Sequence, residues 1–426
     1  MTSELLQQQT WQQVLEELYG AAKLSEQTER YTALLKAYQE HFGASAPVLF
    51  SSPGRSEIGG NHTDHNHGKV LAASIDLDTI AAASKVDAPV ITIISEGYAD
   101  KFVIDISDLS PQSGEGGTAA LIRGISAGFA AQGLQVGGFQ AYVSTNVIPA
   151  SGLSSSASFE MLIGTILNTF YNEGSQDTVA LAKIGQYAEN HFWNKPSGLL
   201  DQMACGYGGF IAIDFANPAT PVINPVPYNF RESGYSLVIV NTGGNHADLT
   251  EDYAAVPNEM KAVARLLGAE VLRDVTEEQI YANLKQLREQ AGDRAVMRAL
   301  HFLAENDRVD AQVEALTSNQ FDDFLTLITE SGNSSWKWLQ NVYQDSNVKE
   351  QGISITLAVT ELYLKRIGQG ACRVHGGGFA GVILAILPDE YVAGYEELIK
   401  KTVDTSTFVI HVRPYGAVCL NDLLKG

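Results

Sequence analysis

The chain has 426 residues, of which 45% are hydrophobic and 18% are charged. Because one hydrophobic core seldom serves more than about 300 residues, this length predicts a soluble globular protein with two domains. The formal net charge of -21 at pH 7 opposes sequence-independent binding to nucleic acid or to anionic lipid, so we expect neither as a partner.

Cysteine usage and the beginning of the chain point to a cytoplasmic protein. Cys205, Cys372 and Cys419 lie far apart without Cys-x-x-Cys spacing, which indicates reduced thiols and no cysteine metal site. No apolar run has the length of a membrane span, and residues 1–9 lack the basic and apolar regions of a signal peptide. We therefore expect a cytoplasmic location, and we further expect a monomer.

Residues 1–45 predict two amphipathic helices, which we treat as an N-terminal helical extension. Apolar residues recur there at spacings of three and four positions, as on one face of a helix. The first stripe comprises Trp11, Val14, Leu15 and Leu18, and the second comprises Tyr31, Leu34, Leu35, Tyr38 and Phe42 and ends at Gly43.

Residues 46–228 predict a first domain of mixed α/β class. Short β-type runs begin at Val48, a helix is expected near Leu121 to Gln132, and a strand begins at Phe139. The segment Asp214 to Asn229 contains four prolines and is therefore the candidate linker. The further β-type runs are Val70 to Ala73, Thr79 to Ala83 and Val90 to Ile94.

Residues 229–426 predict a second domain, in which a strand at Leu237 to Val240 is followed mainly by helices. Amphipathic patterns indicate several helices between Glu259 and Trp338 and another helix at Ile355 to Ile367. Two strand-like apolar runs flank His375 to Gly381. Taken together, these elements predict an α/β (α+β) fold.

A loop of small residues, PASGLSSSAS from Pro149 to Ser158, separates the strand that begins at Phe139 from a helical pattern. Such a loop lets backbone N–H groups approach an anion, and the start of the next helix adds the positive end of its dipole. The hydroxyls of Ser154, Ser155 and Ser156 could add hydrogen bonds or one magnesium ligand. No Gly-Lys-Ser/Thr follows, so this is not a Walker A loop. A serine-rich turn with ordinary helix capping is the alternative.

The segment Ser52 to Gly68 places Arg55 before a dense set of hydrogen-bonding groups, which would suit a polyhydroxylated ligand. Asp64 can accept paired hydrogen bonds from adjacent hydroxyls, and Asn61 and His62 can donate or accept them. A polar turn held by Asx hydrogen bonds is one alternative, and a metal site is another. That metal site would be built from His62, Asp64, His65 and His67.

Two further segments carry candidate site residues. In Glu189 to Gln202, a helix is expected to end before Pro196, and Asp201 follows a Ser-Gly turn, a placement that suits a site residue. Taken alone, Asp201 could be a helix N-cap and Glu189 a solvated surface residue. The glycine-rich segment His375 to Gly381 could cover a phosphate or form a tight hairpin.

In combination and in this order, the four segments resemble the galactokinase family of the GHMP small-molecule kinases. The resemblance runs from about Pro47 to the C-terminus, and it implies a two-domain GHMP kinase fold with the active site between the domains. The matching stretches are PGR with GGNHTDHN within Pro53 to Asn66, PASGLSSSAS at Pro149 to Ser158, PSGLLDQ at Pro196 to Gln202 and GGGFAG at Gly376 to Gly381.

The resemblance also implies roles for individual residues in a sugar kinase that uses ATP and Mg²⁺. Asp201 would be the catalytic carboxylate, and Arg55 its cationic partner. The residues around the ATP phosphates would be Gly152, Leu153, Ser154, Ser155, Ser156 and Ala157. The magnesium ligands would be Ser156 and Glu189. The sugar would contact Asn61, His62, Thr63, Asp64, Gly198 and Tyr253.

Some departures from the family pattern concern the sugar site. Galactokinases usually have glutamate where this chain has Asn61, and tyrosine where it has His65. Because a neutral hydrogen bond is weaker than a charge-assisted one, Asn61→Glu is expected to improve the preference for galactose. Ser56 and Glu57 replace an apolar residue and an asparagine of the family, and the sequence offers no account of these changes.

The function that the resemblance implies is transfer of the γ-phosphoryl group of ATP to the anomeric hydroxyl of galactose, which gives galactose 1-phosphate. Catalysis would depend on alignment and cationic stabilisation, with Asp201 orienting the nucleophile or also removing its proton. A kinase for another sugar, an N-acetylhexosamine or a cyclitol is one alternative. A noncatalytic galactose sensor is a nonenzymatic alternative.

Overall fold

The computed structural model describes residues 8–43, 46–98, 101–148, 152–194, 197–243, 249–345 and 347–424. In these ranges the strands form two sheets, and helices pack against both. The strands are β1 Val48–Gly59, β2 Lys69–Lys85, β3 Val90–Ser95, β4 Phe102–Asp105, β5 Phe139–Thr145, β6 Phe210–Asp214, β7 Val222–Val226, β8 Tyr235–Asn241, β9 Ala371–His375, β10 Val382–Pro388, β11 Thr407–Ile410 and β12 Val418–Cys419.

The helices include those that the periodicity predicted, although several begin earlier than expected. None of the described helices has the length and apolar character needed to cross a membrane. The helices are α1 Gln9–Tyr19, α2 Leu24–Phe42, α3 Gly117–Ala131, α4 Ser155–Tyr171, α5 Thr178–His191, α6 Leu200–Tyr207, α7 Thr250–Leu266, α8 Glu277–Ala282, α9 Leu284–Gln290, α10 Asp293–Thr317, α11 Phe321–Ser334, α12 Gly352–Ile367, α13 Asp389–Thr402 and α14 Leu420–Leu423.

The first sheet has the order β12-β1-β2-β5-β3-β4, with β6 also paired to β2 and β7 paired to β6. Only β3 and β5 run parallel among these described pairs. The sequence predicted two short strands, Val70 to Ala73 and Thr79 to Ala83, but both are parts of the single continuous strand β2. The reason is that Asp76 and Asp78, which interrupt the apolar pattern, are buried and paired with basic side chains.

The prediction that Asp214 to Asn229 is a linker is wrong, because residues 222–226 form the strand β7. Pro225 is tolerated there because β7 is an edge strand, where a missing N–H group need not break the sheet. At the other end of the chain, β12 pairs with β1 and so joins the first sheet. The division of the chain at residues 228 and 229 stays a prediction.

The second sheet has the order β11-β8-β10-β9 and is antiparallel throughout its described strands. The predicted strands on either side of His375 to Gly381 are confirmed as β9 and β10. One apolar cluster joins the two sheets, since Ile58 and Leu71 pack in the same core as Ile239 and Leu384. This shared core holds the end of β1 beside the glycine-rich β9–β10 turn.

The two predicted N-terminal helices are confirmed, and both predicted apolar stripes are largely buried. Leu15 and Tyr31 pack in one cluster with Leu49 of β1 and Ile80 of β2. The buried Asp78 carboxylate accepts hydrogen bonds from α1 and α2 and from the C-terminal segment, through Tyr19, Arg30 and Arg413. The N-terminal helices are therefore packed into the core of the molecule.

Candidate active site

An ion pair between Arg55 and Asp201 joins β1 to the first turn of α6. Arg55 Nε lies 2.8 Å and Arg55 Nη2 lies 2.7 Å from Asp201 Oδ1. Burial disfavours the charged guanidinium, but the charge and hydrogen bond of Asp201, together with the nearby Glu57, outweigh burial and raise the pKa of Arg55. The two residues that the sequence placed together are thus in contact, although 146 positions separate them.

The second carboxylate oxygen of Asp201 accepts a hydrogen bond from Ser154 Oγ. Asp201 lies inside the first turn of α6, whereas Leu199 is the N-cap residue, so the N-cap alternative is wrong. Its side chain is 35% exposed, compared with 10% for Arg55. The carboxylate is therefore held in one orientation at both oxygens while part of it faces solvent.

The small-residue loop approaches Arg55 along its backbone. Arg55 N donates to Leu153 O at 3.1 Å, and Arg55 Nη1 donates to Gly152 O. A Cβ atom on Gly54 would lie 2.7 Å from Leu153 O, so this close approach requires glycine there. Pro149, Ala150 and Ser151, the start of the predicted loop, lie outside the described residues.

The N-terminus of α4 faces the Arg55–Asp201 pair. The helix begins at Ser155, earlier than the sequence pattern after Ser158 suggested. Ser154 is the N-cap residue, in the left-handed conformation with φ 56, and its side chain makes no capping hydrogen bond to the helix. The alternative of ordinary serine capping is therefore wrong for Ser154. With no acidic residue in the first turn, this helix end is a favourable place for an anion.

The predicted magnesium ligands Ser156 and Glu189 are in contact. Ser156 Oγ donates to Glu189 Oε1 at 3.0 Å, and Glu189 is only 2% exposed, so the surface-residue alternative is wrong. Gln202 Nε2 donates to Glu189 Oε2 at 3.2 Å and to Glu160 Oε2 at 2.9 Å. The buried Glu160 was not predicted from the sequence. Its position four residues after Ser156, on the same face of α4, was an available signal.

A cleft of about 210 Å³ opens beside the first turn of α4. Ser155, Ser156 and Phe159 of α4 line it together with two aromatic residues near the start of β4 and a third after α5. They are Tyr98, Phe102 and Trp193. Their contribution was not predicted from the sequence, because Trp193 meets the other two only in the fold.

Asn61, the predicted sugar ligand, is fully buried and uses its side chain within the protein. Its Nδ2 donates to Glu57 Oε1 at 2.9 Å and to Gly376 O at 2.7 Å. Its Oδ1 accepts from Asn341 Nδ2 at 2.8 Å and from Ser335 Oγ at 3.3 Å. An amide offers two donor hydrogens and two acceptor lone pairs, so these contacts use all four.

The other residues of the first motif form a turn at the same end of β1. Thr63 is buried, and its hydroxyl lies 2.9 Å from Gly60 O and 2.6 Å from Lys69 O. Asp64 is partly exposed, and a Cβ atom on Gly198 would lie 3.6 Å from its Oδ2, so these two predicted sugar contacts are neighbours.

His62 and Tyr253 both contact the glycine-rich turn. His62 Nε2 lies 2.8 Å from Gly377 O, and burial lowers the pKa of His62 to about 4. Tyr253 OH donates to Gly378 O at 3.0 Å, and burial raises its pKa to about 12. A Cβ atom on Gly377 would lie 2.6 Å from the Tyr253 ring, so glycine is required there.

The alternative of a histidine metal site is not supported by this arrangement. Within the described part of the chain, no group of three or more His, Cys, Asp or Glu residues is placed to hold a metal ion. His65 is exposed, and its Nε2 lies 4.0 Å from Asp64 Oδ2. The three cysteines are buried and form no disulfide, as the sequence indicated.

The structure accounts for both residues that the sequence could not explain after Arg55. Ser56 Oγ lies 2.9 Å from His375 Nε2, so the hydroxyl connects β1 to the end of β9. Glu57 Oε1 accepts from Arg373 Nη2 at 3.0 Å. Burial raises the pKa of Glu57 against the opposing effect of Arg373. Both departures therefore belong to contacts between β1 and β9.

Two family signatures match the chain. The galactokinase galactose-binding signature matches residues 36–85, and the GHMP kinases N terminal domain matches residues 119–209. A galactokinase of Actinobacillus pleuropneumoniae is 30% identical over 375 residues, which cover 87% of this chain and 93% of that protein. A galactokinase of Lactococcus lactis subsp. lactis (strain IL1403) is 29% identical over 378 residues, which cover 86% of this chain and 90% of that protein.

Solved structures share the fold. The structure of Lactococcus lactis galactokinase complexed with galactose superimposes with a TM-score of 0.76 at 24% identity, covering 92% of this chain and 100% of that chain. The mevalonate kinase of Methanococcus jannaschii superimposes with a TM-score of 0.61 at 15% identity, and the match covers 86% of this chain and 99% of that chain. The predicted two-domain GHMP kinase fold is confirmed by these likenesses.

Proposed function

The chain belongs to the galactokinase family, and from this premise we propose that it transfers the γ-phosphoryl group of ATP to the anomeric hydroxyl of galactose. The product is galactose 1-phosphate. The observation that carries the proposal is the set of contacts that Arg55 and Ser154 make with the Asp201 carboxylate at the N-terminus of α4. This arrangement puts a fixed carboxylate, a cation and a helix N-terminus at one point, as phosphoryl transfer requires.

Asp201 accepts a hydrogen bond from the sugar hydroxyl and orients it towards the phosphorus atom. Support for this role comes from its two bound oxygens, which restrict the carboxylate to one orientation. Arg55 remains positively charged beside it and stabilises negative charge on the transferring group. Because phosphoryl transfer proceeds through a loose transition state, alignment contributes more here than the basicity of the carboxylate.

ATP places its phosphates along Gly152 to Ala157 and its adenosine in the cleft beside α4. The phosphate position is supported by the uncapped helix N-terminus and by the absence of acidic residues in its first turn. The adenosine position is supported by the aromatic and aliphatic lining of the cleft, which suits a planar base.

The oxygen atoms of Ser156 and Glu189 fit a magnesium ion. A serine hydroxyl and a carboxylate are the oxygen ligands that magnesium prefers, and Ser156 Oγ and Glu189 Oε1 lie 3.0 Å apart. These two residues would hold the ion. When bound, magnesium would neutralise charge on the ATP phosphates.

The sugar lies beside the turn that the first motif forms, where Asp64 and Gly198 are neighbours. His62 and Tyr253 both lie within hydrogen-bonding distance of the adjacent glycine-rich turn. Carboxylate, imidazole and hydroxyl groups are suited to several sugar hydroxyls at once. The galactose-binding signature and the galactokinase relatives favour galactose over the other sugars considered.

An assay of ADP release tests the proposal. Galactose, glucose, N-acetylgalactosamine and myo-inositol are compared at equal concentrations, and the product is identified by NMR. We expect galactose to give the highest kcat/KM and the phosphate to be attached at the anomeric carbon. Turnover restricted to another substrate would support the other-sugar alternative, whereas galactose binding without turnover by a folded protein would support the sensor alternative.

A further inference from the structure

Glu57 lies on the same face of β1 as Arg55. The pairing between β1 and β2 is continuous here, with Arg55 opposite Ser74, Ser56 opposite Ala73 and Glu57 opposite Ala72. Because successive side chains of a strand point to opposite faces, Arg55 and Glu57 share one face and Ser56 takes the other. A second carboxylate therefore follows Arg55 on the face that contacts Asp201.

The two oxygen atoms of the Glu57 carboxylate have different surroundings. Oε1 accepts hydrogen bonds from Asn61 Nδ2 at 2.9 Å and from Arg373 Nη2 at 3.0 Å. Within the described residues, no hydrogen bond reaches Oε2. The side chain is 10% exposed, and the carboxyl lies within electrostatic range of Arg55 and Asp64.

Asn61 and Arg373 donate hydrogen bonds to Glu57 Oε1 only. Oε2 is not one of the buried atoms that lack a partner, so it is accessible to solvent and can accept a hydrogen bond from a ligand. Asn61 itself cannot bind a ligand with its side chain, since all four of its hydrogen-bonding positions are used inside the protein. Between these two side chains, the acceptor left for a ligand is therefore Glu57 Oε2.

We propose that Glu57 Oε2 accepts a hydrogen bond from one hydroxyl of the bound sugar and so contributes to sugar specificity, with Asn61 and Arg373 as its positioning residues. This inference rests on the proposed function, because it takes a hexose as the ligand. It replaces the expectation that Asn61→Glu improves galactose preference. A carboxylate at position 61 would face Glu57 Oε1 and Gly376 O, which are both acceptors.

The first experiment combines Glu57→Gln with galactose analogues that each lack one hydroxyl, at the 2, 3, 4 or 6 position. The amide keeps the shape of the side chain and can still present Oε1 to Asn61 and Arg373, but it removes the charged acceptor at the other end. We expect kcat/KM for galactose to fall about 10-fold to 100-fold, whereas the KM for ATP stays the same.

The analogues identify the hydroxyl that Glu57 binds. For one analogue, the wild-type protein should lose about 10-fold to 100-fold in kcat/KM, and Glu57→Gln should lose at most about threefold. Glu115→Gln is the matched control, because the Glu115 side chain is 16% exposed and pairs with an arginine, Arg123, outside the sugar site. This control should retain the wild-type sensitivity to every analogue. Equal sensitivity of Glu57→Gln and wild type to all four analogues would overturn the inference.

A second variant keeps the inference testable if Glu57→Gln does not fold. Asn61→Glu alone should lower kcat/KM for galactose at least about 10-fold, because it opposes two carboxylates. Adding Glu57→Asn relieves the repulsion between the two carboxylates but removes the acceptor at position 57, so kcat/KM for galactose should stay at least about 10-fold below the wild-type value. Recovery of the wild-type value in the double variant would show that the sugar does not need Glu57 and would contradict the inference. If the wild-type protein phosphorylates no hexose, the proposed function is wrong. If it phosphorylates galactose but the variants do not behave as described, only the role of Glu57 in binding the sugar is wrong.

Discussion

At the scale of single residues, the site depends on carboxylates whose orientation is set by their neighbours. Asp201 is held at one oxygen by Arg55 and at the other by Ser154. Glu189 is held in a similar way by Ser156 and Gln202. A side chain that is already oriented loses little conformational entropy when a ligand binds, so these residues suit phosphoryl transfer.

Asp201→Asn is expected to keep the fold and most ATP binding but to lower kcat at least about 100-fold. The neutral amide no longer forms an ion pair with Arg55, and its NH2 group replaces the carboxylate oxygen that would accept a hydrogen bond from the sugar hydroxyl. Steady-state kinetics with galactose and a fluorescent ATP analogue would measure both effects. Asp323→Asn, a change of an exposed carboxylate in α11, is the matched control. Near-normal turnover of Asp201→Asn would remove Asp201 from the catalytic role.

Ser156→Ala and Glu189→Gln should each raise the magnesium concentration that gives half-maximal rate. Each change removes or weakens one oxygen ligand, and magnesium prefers a small set of oxygen ligands shared with phosphates. The measurement is the initial rate as a function of magnesium at saturating ATP and galactose. Ser175→Ala, at an exposed position before α5, serves as the control. An unchanged magnesium dependence in both variants would contradict the assignment.

At the scale of elements, Glu305 of α10 connects three parts of the fold. Its Oε1 accepts from Gly60 N at the end of β1 at 3.1 Å and from Ser331 Oγ of α11 at 2.5 Å. Its Oε2 accepts from Arg308 on the same helix. Burial would raise the pKa of Glu305, but the charges of His301, Arg373 and Arg308 and these hydrogen bonds lower it to about 2. The turn that follows β1 and carries Asn61 to Asp64 is thus anchored to the helices of the C-terminal half.

The lowered pKa of Glu305 predicts a loss of stability in acid. Its ordinary value is 4.5, so this contribution to the free energy of unfolding is complete above about pH 4.5 and is lost as the pH falls towards about 2. Glu305→Gln should lower the free energy of unfolding by about 3 kcal/mol at pH 7 and should flatten its pH dependence between about pH 2 and 4.5. Urea unfolding across this pH range is the measurement.

Glu330→Gln is the matched control for this prediction, because Glu330 is 56% exposed and lies 3.8 Å from Arg308. Exposed ion pairs contribute little to stability, so the control should behave like the wild-type protein. If Glu305→Gln and wild type lose stability in parallel as the pH falls, Glu305 does not carry this pH dependence.

At the scale of the whole molecule, the N-terminal helices and the C-terminal segment meet at the first sheet. Leu15 of α1 is fully buried, and it shares a cluster with Leu49, Ile80 and Leu420. Residues from both ends of the chain therefore contribute to one core with β1, the strand that carries Arg55. This packing predicts that unfolding of the helices and loss of the active site occur together.

Leu15→Ala is expected to lower the free energy of unfolding by about 2 to 5 kcal/mol, because it leaves a cavity in this core. The loss of kinase activity and the loss of helical circular dichroism should still follow one urea transition. Leu362→Ala is the matched control, since Leu362 is 65% exposed on α12. Two separate transitions, with activity lost only in the second, would mean that α1 and α2 form an independent appendage. The cytoplasmic location and the monomeric state stay predictions, which cell fractionation and light scattering would test.

The sequence by itself determined the local elements and the motifs. Side-chain periodicity is a local property, so it predicted the apolar stripes of α1 and α2. For the same reason it predicted β5 before the small-residue loop and α4 after it. The four ordered motifs were enough to indicate the family and to pair Arg55 with Asp201, which the structure places in contact.

Only the tertiary structure decided which hydrogen-bond donors and acceptors of the site pair with one another. Residues from distant parts of the chain meet in the site. Examples are the hydrogen bonds of Asn61 with Asn341, the contact of Glu57 with Arg373 and the shared cleft of Tyr98 and Trp193. The course of β2 through two buried aspartates also depended on Lys23 between α1 and α2, on Arg30 of α2 and on Arg413 of the C-terminal segment. Such contacts leave no local signal, because the packing of the two sheets and their helices determines which donor reaches which acceptor.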